Sequence, residues 1–256
     1  MKKLVMGVSL GASFMLSSLC PQAQEPEARQ IPRLPDGQLS FSGTPGVIGN
    51  WEGPPTGRLT AGNNPNPVLL DINLQIDEIP FQPWAQEVYD QRSSKDDPHT
   101  RCKPSGGPRM WHTPYGMEII QLPEIEEIVL VMVGAPHSWR QIYMDGRSHP
   151  QNPEPSPYGH SIGHWDADTL VVDSIGYTTG FWFSRGEPHT EQLHLIERIS
   201  RPSFDKLRYE VTVDDPGAYT APWTGGFYLD WEDGNEPFDY LCQENNLDPA
   251  KMIGVQ

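Results

Sequence analysis

Basic residues are scarce in this chain, and their shortage excludes two classes of partner. The 256 residues include 18 Lys and Arg against 34 Asp and Glu, which gives a formal charge of −16 at pH 7. A protein that binds nucleic acid needs a basic surface to neutralise phosphates, and docking on anionic lipid needs a similar surface. The charge balance argues against both, and we expect the partner to be a small-molecule substrate or ligand.

Long apolar runs are equally scarce. The one extended run, Leu4 to Leu19, follows two lysines and is interrupted by Gly and Ser. This pattern is typical of a secretory signal and is too short for a membrane-spanning helix. We therefore expect residues 1–24 to be removed and the mature protein to be periplasmic or secreted, with no membrane insertion. Cys20 would suggest a lipid anchor, but the bulky Leu19 before it fits that motif poorly.

The chain contains only three cysteines, and Cys102 and Cys242 are the two that remain once the signal is removed. In an oxidising compartment, two remaining cysteines are more often paired than free. We therefore predict a disulfide between them, with two buried free thiols as the alternative.

Helical periodicity is confined to one segment. Trp84 and Val88 recur at helical spacing within Phe81–Ser94, which predicts a short helix. Residues 25–79 instead carry a proline every few positions, which predicts an extended Pro- and Gly-rich arm with one short strand near Trp51. Residues 80–256 are then expected to form a single β-rich domain.

Turn-forming residues are abundant, with 27 Pro and 24 Gly. From Tyr115 onward, apolar and polar residues alternate in short segments separated by turn sequences such as Asp145-Gly146. Short strands with few helical gaps favour a mainly β fold: an antiparallel meander, closed or partly closed into a barrel, lipocalin-like in architecture. The predicted strands are Met117–Leu122, Glu127–Val133, Ser138–Met144, His160–Trp165, Thr169–Ile175, Leu193–Arg201, Leu207–Asp214, Phe227–Trp231 and Phe238–Glu244.

Two of these strands carry ionisable residues in alternation. His160 and His164 share one face of their strand. On the other strand His194 and Arg198 share a face and Glu197 lies on the opposite one. Whichever face of that strand points inward, an ionisable group is expected inside the barrel, where charge is costly unless paired.

These residues suit general acid–base chemistry, because histidine titrates near neutral pH. We expect His160 and His194 to line one pocket and to exchange protons with the substrate. Arg140 or Arg198 would stabilise a developing oxyanion there, and Asp214 or Glu197 would fix the imidazole tautomer.

Other residues are candidates for binding the substrate. Arg109 follows a glycine-rich segment and could clamp an anion, although pairing with an acidic residue is the alternative. The expected substrate-binding set is Tyr115, Arg109, Arg198, Trp165 and Glu244. We expect no metal, since two histidines on one strand lack a third ligand nearby, and no cofactor, since the chain has no nucleotide-binding loop.

The segment Gly159–Gly163 has the spacing of the G-x-S-x-G elbow of serine hydrolases. That elbow requires a buried strand before the serine and a helix after it. Here a proline-rich stretch precedes Ser161 and a strand-like segment follows, so the hydrolase elbow is a lesser alternative.

Several motifs together resemble an uncharacterised family of secreted bacterial proteins usually labelled hypothetical. The likeness covers about residues 80–254. It implies secretion and a single domain and carries no activity. Its motifs are RC…GGPR at 101–109, DGR.HP at 145–150, GHSIG.W..DTLVV at 159–172, LH..ER at 193–198, DP..YT.PWT at 215–224 and C.ENN at 242–246.

These features lead us to expect a secreted enzyme that needs no cofactor. It would be a lyase or isomerase, or else a hydrolase, acting on a small organic or glycan-derived substrate through His and carboxylate groups with Arg stabilisation. The alternative is a non-catalytic barrel that binds an apolar or sugar ligand.

The signal prediction is tested by the mass of the mature protein. Intact-mass spectrometry of protein from the native host should show that about the first two dozen residues are missing. Mature protein that still begins with Met1 would contradict export by this route.

Overall fold

The structure is a computed structural model that describes residues 29–44, 46–54, 58–62, 66–112, 115–133, 138–184, 186–238, 240 and 242. The predicted signal peptide and Glu244 lie outside these residues. None of the helices in the described ranges has the length and hydropathy that a membrane span requires.

The described residues contain nine strands that close into one barrel in chain order, which confirms the predicted fold. Neighbouring strands are antiparallel with one exception, the parallel pair formed by the fourth and fifth. The strands are β1 Gly49–Glu52, β2 Met117–Leu122, β3 Glu127–Met132, β4 Ser138–Tyr143, β5 His160–Asp166, β6 Thr169–Ile175, β7 His194–Ser203, β8 Lys206–Asp214 and β9 Trp223–Asp233.

The parallel pair departs from a pure meander. Ile142 and Tyr143 pair with Ser161 and Ile162 in parallel register. A parallel connection must return along the barrel before the next strand begins, which a tight hairpin cannot do. Residues 144–159 make this return.

One strand of the barrel comes from the proline-rich arm. β1 pairs with β9 along its four residues, from Gly49 opposite Asp233 to Glu52 opposite Asp230, and it also contacts β2. This strand near Trp51 therefore closes the barrel. In the predicted ninth strand, Phe238–Glu244, the described positions 238, 240 and 242 are not in a strand, and the others lie outside the described residues.

The predicted helix is present but shorter than expected. Helix α1 spans Pro83–Gln91, begins with a proline at its first turn, and buries Ala85. It lies against the segment that follows β8, where Trp84 Nε1 donates to the Gly217 carbonyl at 2.8 Å. Short 3₁₀ helices occur at Ile76–Glu78, Ser94–Asp96, Pro98–Arg101, Gly107–His112 and Pro123–Ile125.

Side chains at alternate strand positions fill the barrel. On β3, Ile128, Leu130 and Met132 are buried while the residues between them are partly exposed, as a period of two predicts. We place no ligand at the centre of the barrel, because large side chains occupy the interior. Among those that are fully buried are Trp51, Trp111, Tyr177, Tyr209, Tyr219, Phe183 and Phe227.

Cys102 and Cys242 lie at disulfide distance, with their Cα atoms 5.8 Å apart, as the sequence predicted. The link joins residues separated by 140 positions. Closing so long a loop restricts the unfolded chain strongly, so the link stabilises the folded state.

Replacing both cysteines by serine should therefore lower the free energy of unfolding by roughly 4–5 kcal/mol on the chain-entropy model. Urea unfolding under non-reducing conditions measures this loss. Reductant should destabilise the natural protein and leave the Cys102→Ser/Cys242→Ser variant unchanged. Equal unfolding midpoints for the two proteins would contradict the prediction.

Candidate functional site

The barrel interior contains a buried ion pair. Arg140 on β4 and Glu197 on β7 both point inward, and their side chains are 2% and 0% exposed. Arg140 Nη1 donates to Glu197 Oε1 at 3.0 Å, and Nη2 donates to Oε2. The two-pronged contact is the geometry in which a guanidinium binds a carboxylate most strongly.

Polar neighbours complete the hydrogen bonding of this pair. Arg140 Nε donates to Ser161 Oγ at 2.9 Å, and Nη2 donates to Ser174 Oγ at 2.7 Å. Trp111 Nε1 and the Tyr209 hydroxyl each donate to Glu197 Oε1 at 3.0 Å. Charges buried this deeply are tolerated only when their polar atoms are satisfied in this way.

Arg140 stays charged. Burial acts to lower the pKa of Arg140, but the adjacent Glu197 carboxylate outweighs it, and the pKa of Arg140 is raised. Burial, followed by the nearby Glu197 charge, raises the pKa of Tyr209 well above its ordinary value, so its hydroxyl remains a donor. The cluster links several strands across the barrel interior, and neither Arg140 nor Glu197 is accessible to solvent.

Ser161 belongs to this buried cluster. It is 0% exposed, is the second residue of β5, and accepts hydrogen bonds from Arg140 and from the Ser174 hydroxyl. A turn and then β6 follow it, where a nucleophile elbow would have a helix. The structure therefore does not place Ser161 at such an elbow.

A second polar cluster lies on the outer face of the barrel. His160 on β5, Asp173 on β6 and His194 on β7 project outward, and His149 from the 144–159 connection joins them. We call these four residues the histidine chain. All four are partly exposed.

Hydrogen bonds link the histidine chain end to end. His160 Nδ1 lies 2.7 Å from His149 Nδ1, and His149 Nε2 lies 3.1 Å from Asp173 Oδ1. His194 Nε2 lies 2.7 Å from the same Asp173 oxygen. One carboxylate oxygen of Asp173 therefore contacts two imidazole rings, those of His149 and His194. The His149 ring is in turn hydrogen-bonded to the His160 ring.

Aromatic stacking holds the free end of this chain. The Tyr143 ring stacks on the His160 ring with centroids 5.3 Å apart, and the Arg147 guanidinium lies 3.8 Å from the Tyr143 centroid. Burial is the largest cause that lowers the pKa of His160 below its ordinary value of 6.5, and the charge of Arg147 adds to it. His160 is consequently neutral at neutral pH, as a general base must be.

The structure brings together only part of the expected pocket. His160 and His194 do meet, through Asp173, but Arg140 and Glu197 lie on the other side of the barrel wall. Arg140 binds Ser161, and adjacent residues of a strand face opposite ways, so His160 points away from Arg140. The single pocket expected from the sequence is therefore divided in two.

The remaining predicted residues are dispersed. Asp214 lies opposite His194 in the strand register, but it is Asp173 that bonds the imidazole. Arg198 forms an exposed ion pair with Asp166 at 2.8 Å. The anion clamp expected of Arg109 is occupied from within the chain, because Arg109 binds both oxygens of Asp97 at 2.7 and 2.6 Å.

Two predicted binding residues are engaged in aromatic stacking. Tyr115 stacks on Tyr240 with centroids 5.0 Å apart, and Trp165 stacks on Phe41 with centroids 5.7 Å apart. Trp165 faces inward at one end of the barrel, on the opposite side of β5 from His164.

Sequence reasoning missed His149 and Asp173 as members of a site. The signals were present, since His149 belongs to the DGR.HP motif and Asp173 alternates with buried residues on β6. Within the described ranges, no three His, Cys, Asp or Glu side chains are arranged to hold a metal ion.

Comparison with known proteins gives no relative for this chain: no family model, no curated protein and no solved structure matches it.

The buried pair is tested by removing one of its charges. Glu197→Gln leaves Arg140 buried without its partner, which should cost about 3–5 kcal/mol of unfolding free energy. Asp230→Asn breaks the exposed pair with Lys206 and should cost less than about 1 kcal/mol. Chemical denaturation measures the free energy of unfolding of both variants. Equally small losses in the two would show that the interior pair contributes no more to stability than the exposed pair.

Proposed function

We propose that the protein is a cofactor-free enzyme, periplasmic or secreted, that uses His160 as a general base on the outer face of its barrel. The observation that supports this proposal is the histidine chain. It ties one ring nitrogen of His160 to a second imidazole and that imidazole to a carboxylate. In catalytic Asp–His pairs a carboxylate orients the imidazole base through a hydrogen bond. Here a second imidazole, that of His149, lies between the carboxylate and the base.

The protons along the chain can be counted. A carboxylate only accepts hydrogen bonds, so the contact with Asp173 places a hydrogen on His149 Nε2, and a His149 ring with this one hydrogen accepts at Nδ1. His160 then donates from its own Nδ1, and its Nε2 carries a lone pair. That nitrogen is the base. When it takes a proton from a substrate carbon, the positive charge on the imidazole pair is stabilised by Asp173.

Such a base suits a lyase or isomerase, which removes a proton from carbon and returns it elsewhere or expels a leaving group. A serine-based hydrolase draws no support from the buried Ser161. The electrostatic role expected of Arg140 does not pass to Arg147, because the Arg147 guanidinium stacks on Tyr143 beside His160 but is bound to the Asp145 carboxylate. The substrate class remains a small organic or glycan-derived molecule.

Deuterium exchange tests the proposal without knowledge of the product. A panel of small carbonyl compounds is incubated with the protein in D₂O, and ¹H NMR follows loss of the protons next to the carbonyl. Exchange of at least one compound should be catalysed, and His160→Gln should slow it by roughly 10²–10⁴-fold. His164→Gln, on the same face of the same strand but outside the chain, should leave the rate unchanged.

The pH dependence gives a second readout. Because the base must be neutral and the pKa of His160 is lowered, the rate should rise with pH along a limb centred below 6.5 and then level off. Exchange no faster with the natural protein than with His160→Gln, for every compound, would overturn the proposal.

A further inference from the structure

One end of the barrel opens into a groove of about 330 Å³. Its floor includes the inward-facing side chains of Gln121, Ile128 and Trp165, together with Met144. Trp165 has the same strand parity as the buried Ser161, so it belongs to the interior side of the wall. The groove is therefore a mouth of the barrel, a position where small-molecule sites are common.

The arm forms the other wall of this mouth groove and is fixed in place. Gln121 Oε1 accepts from the Phe41 amide at 2.8 Å, and Gln121 Nε2 donates to the Leu39 carbonyl at 2.9 Å. Arg33 binds both oxygens of Asp168 at 2.9 and 2.7 Å. A wall held by these contacts is formed before any ligand arrives, which lowers the entropic cost of binding.

The rim of the mouth groove is rich in carboxylates. Asp36, Glu126 and Glu127 line it together with His164; no lysine or arginine is among its lining residues in the described part of the chain, although Arg147 lies near enough to Glu127 to interact with its charge. Ionised carboxylates only accept hydrogen bonds, so the rim favours a ligand that donates and disfavours an anion. Trp165 also lines the groove; one face of its ring stacks on Phe41, and the opposite indole face would attract positive charge.

We propose that the mouth groove binds a small single-ring molecule that carries a protonated amine. The ring would lie against the apolar floor formed by Ile128, Met144 and Trp165, and the ammonium would face the carboxylates of the rim. The volume is at the low end for ligand sites, which limits the occupant to a small molecule. This site is separate from the histidine chain and does not depend on its chemistry.

Three probes of similar shape and different charge test the proposal by isothermal titration calorimetry: benzylamine, benzyl alcohol and benzoate. Benzylamine should bind about tenfold tighter than benzyl alcohol, in keeping with a charge-assisted contact over an aromatic ring, and benzoate should not bind. The double variant Glu126→Gln/Glu127→Gln should reduce the benzylamine advantage while benzyl alcohol binds as before.

Variants of the floor complete the test. Trp165→Leu should abolish binding of both neutral and cationic probes, and Trp165→Phe should retain part of it. Trp139→Leu is the matched control, since Trp139 is 62% exposed on the outer surface of β4. His160→Gln should bind benzylamine normally. Absence of saturable benzylamine binding, or benzoate affinity equal to that of benzylamine, would overturn the proposal.

Discussion

The ion pair between Arg140 and Glu197, with its hydrogen-bond partners, determines which face of four strands points into the barrel. Arg140 lies on β4 and donates hydrogen bonds to Ser161 on β5, Ser174 on β6 and Glu197 on β7. A guanidinium buried at this depth must keep these partners, because an unpaired charge there costs several kcal/mol. A one-residue slip of any of these strands would turn its partner outward.

The outer surface follows from this inward constraint. With Ser161 and Ser174 turned inward, their neighbours His160 and Asp173 must face outward, and with Glu197 inward His194 does so as well. The parallel return of residues 144–159 then brings His149 between His160 and Asp173. The charges of Arg140 and Glu197 are thus inside the barrel wall, and the partly exposed histidine chain lies outside it.

The sequence allowed much of this to be predicted, because alternation is a local signal. It located the eight strands β2 to β9 at overlapping positions and a short strand near Trp51, as well as the face shared by His160 and His164 and a buried ionisable group on β7. It could not decide which β7 face pointed inward, since both faces carry charge. His149 lies in a proline-rich connection without periodicity, and the short strand predicted near Trp51 gave no signal that it would pair with β9 and close the barrel.

The account depends most on the histidine chain, and a long-range ¹H–¹⁵N NMR spectrum of the imidazoles at neutral pH tests it directly. We expect His149 to carry its proton on Nε2 and His160 to carry its proton on Nδ1, the less common tautomer. In Asp173→Asn this pattern should change at His149. If both histidines carry their proton on Nε2, and Asp173→Asn changes neither of them, the account is contradicted.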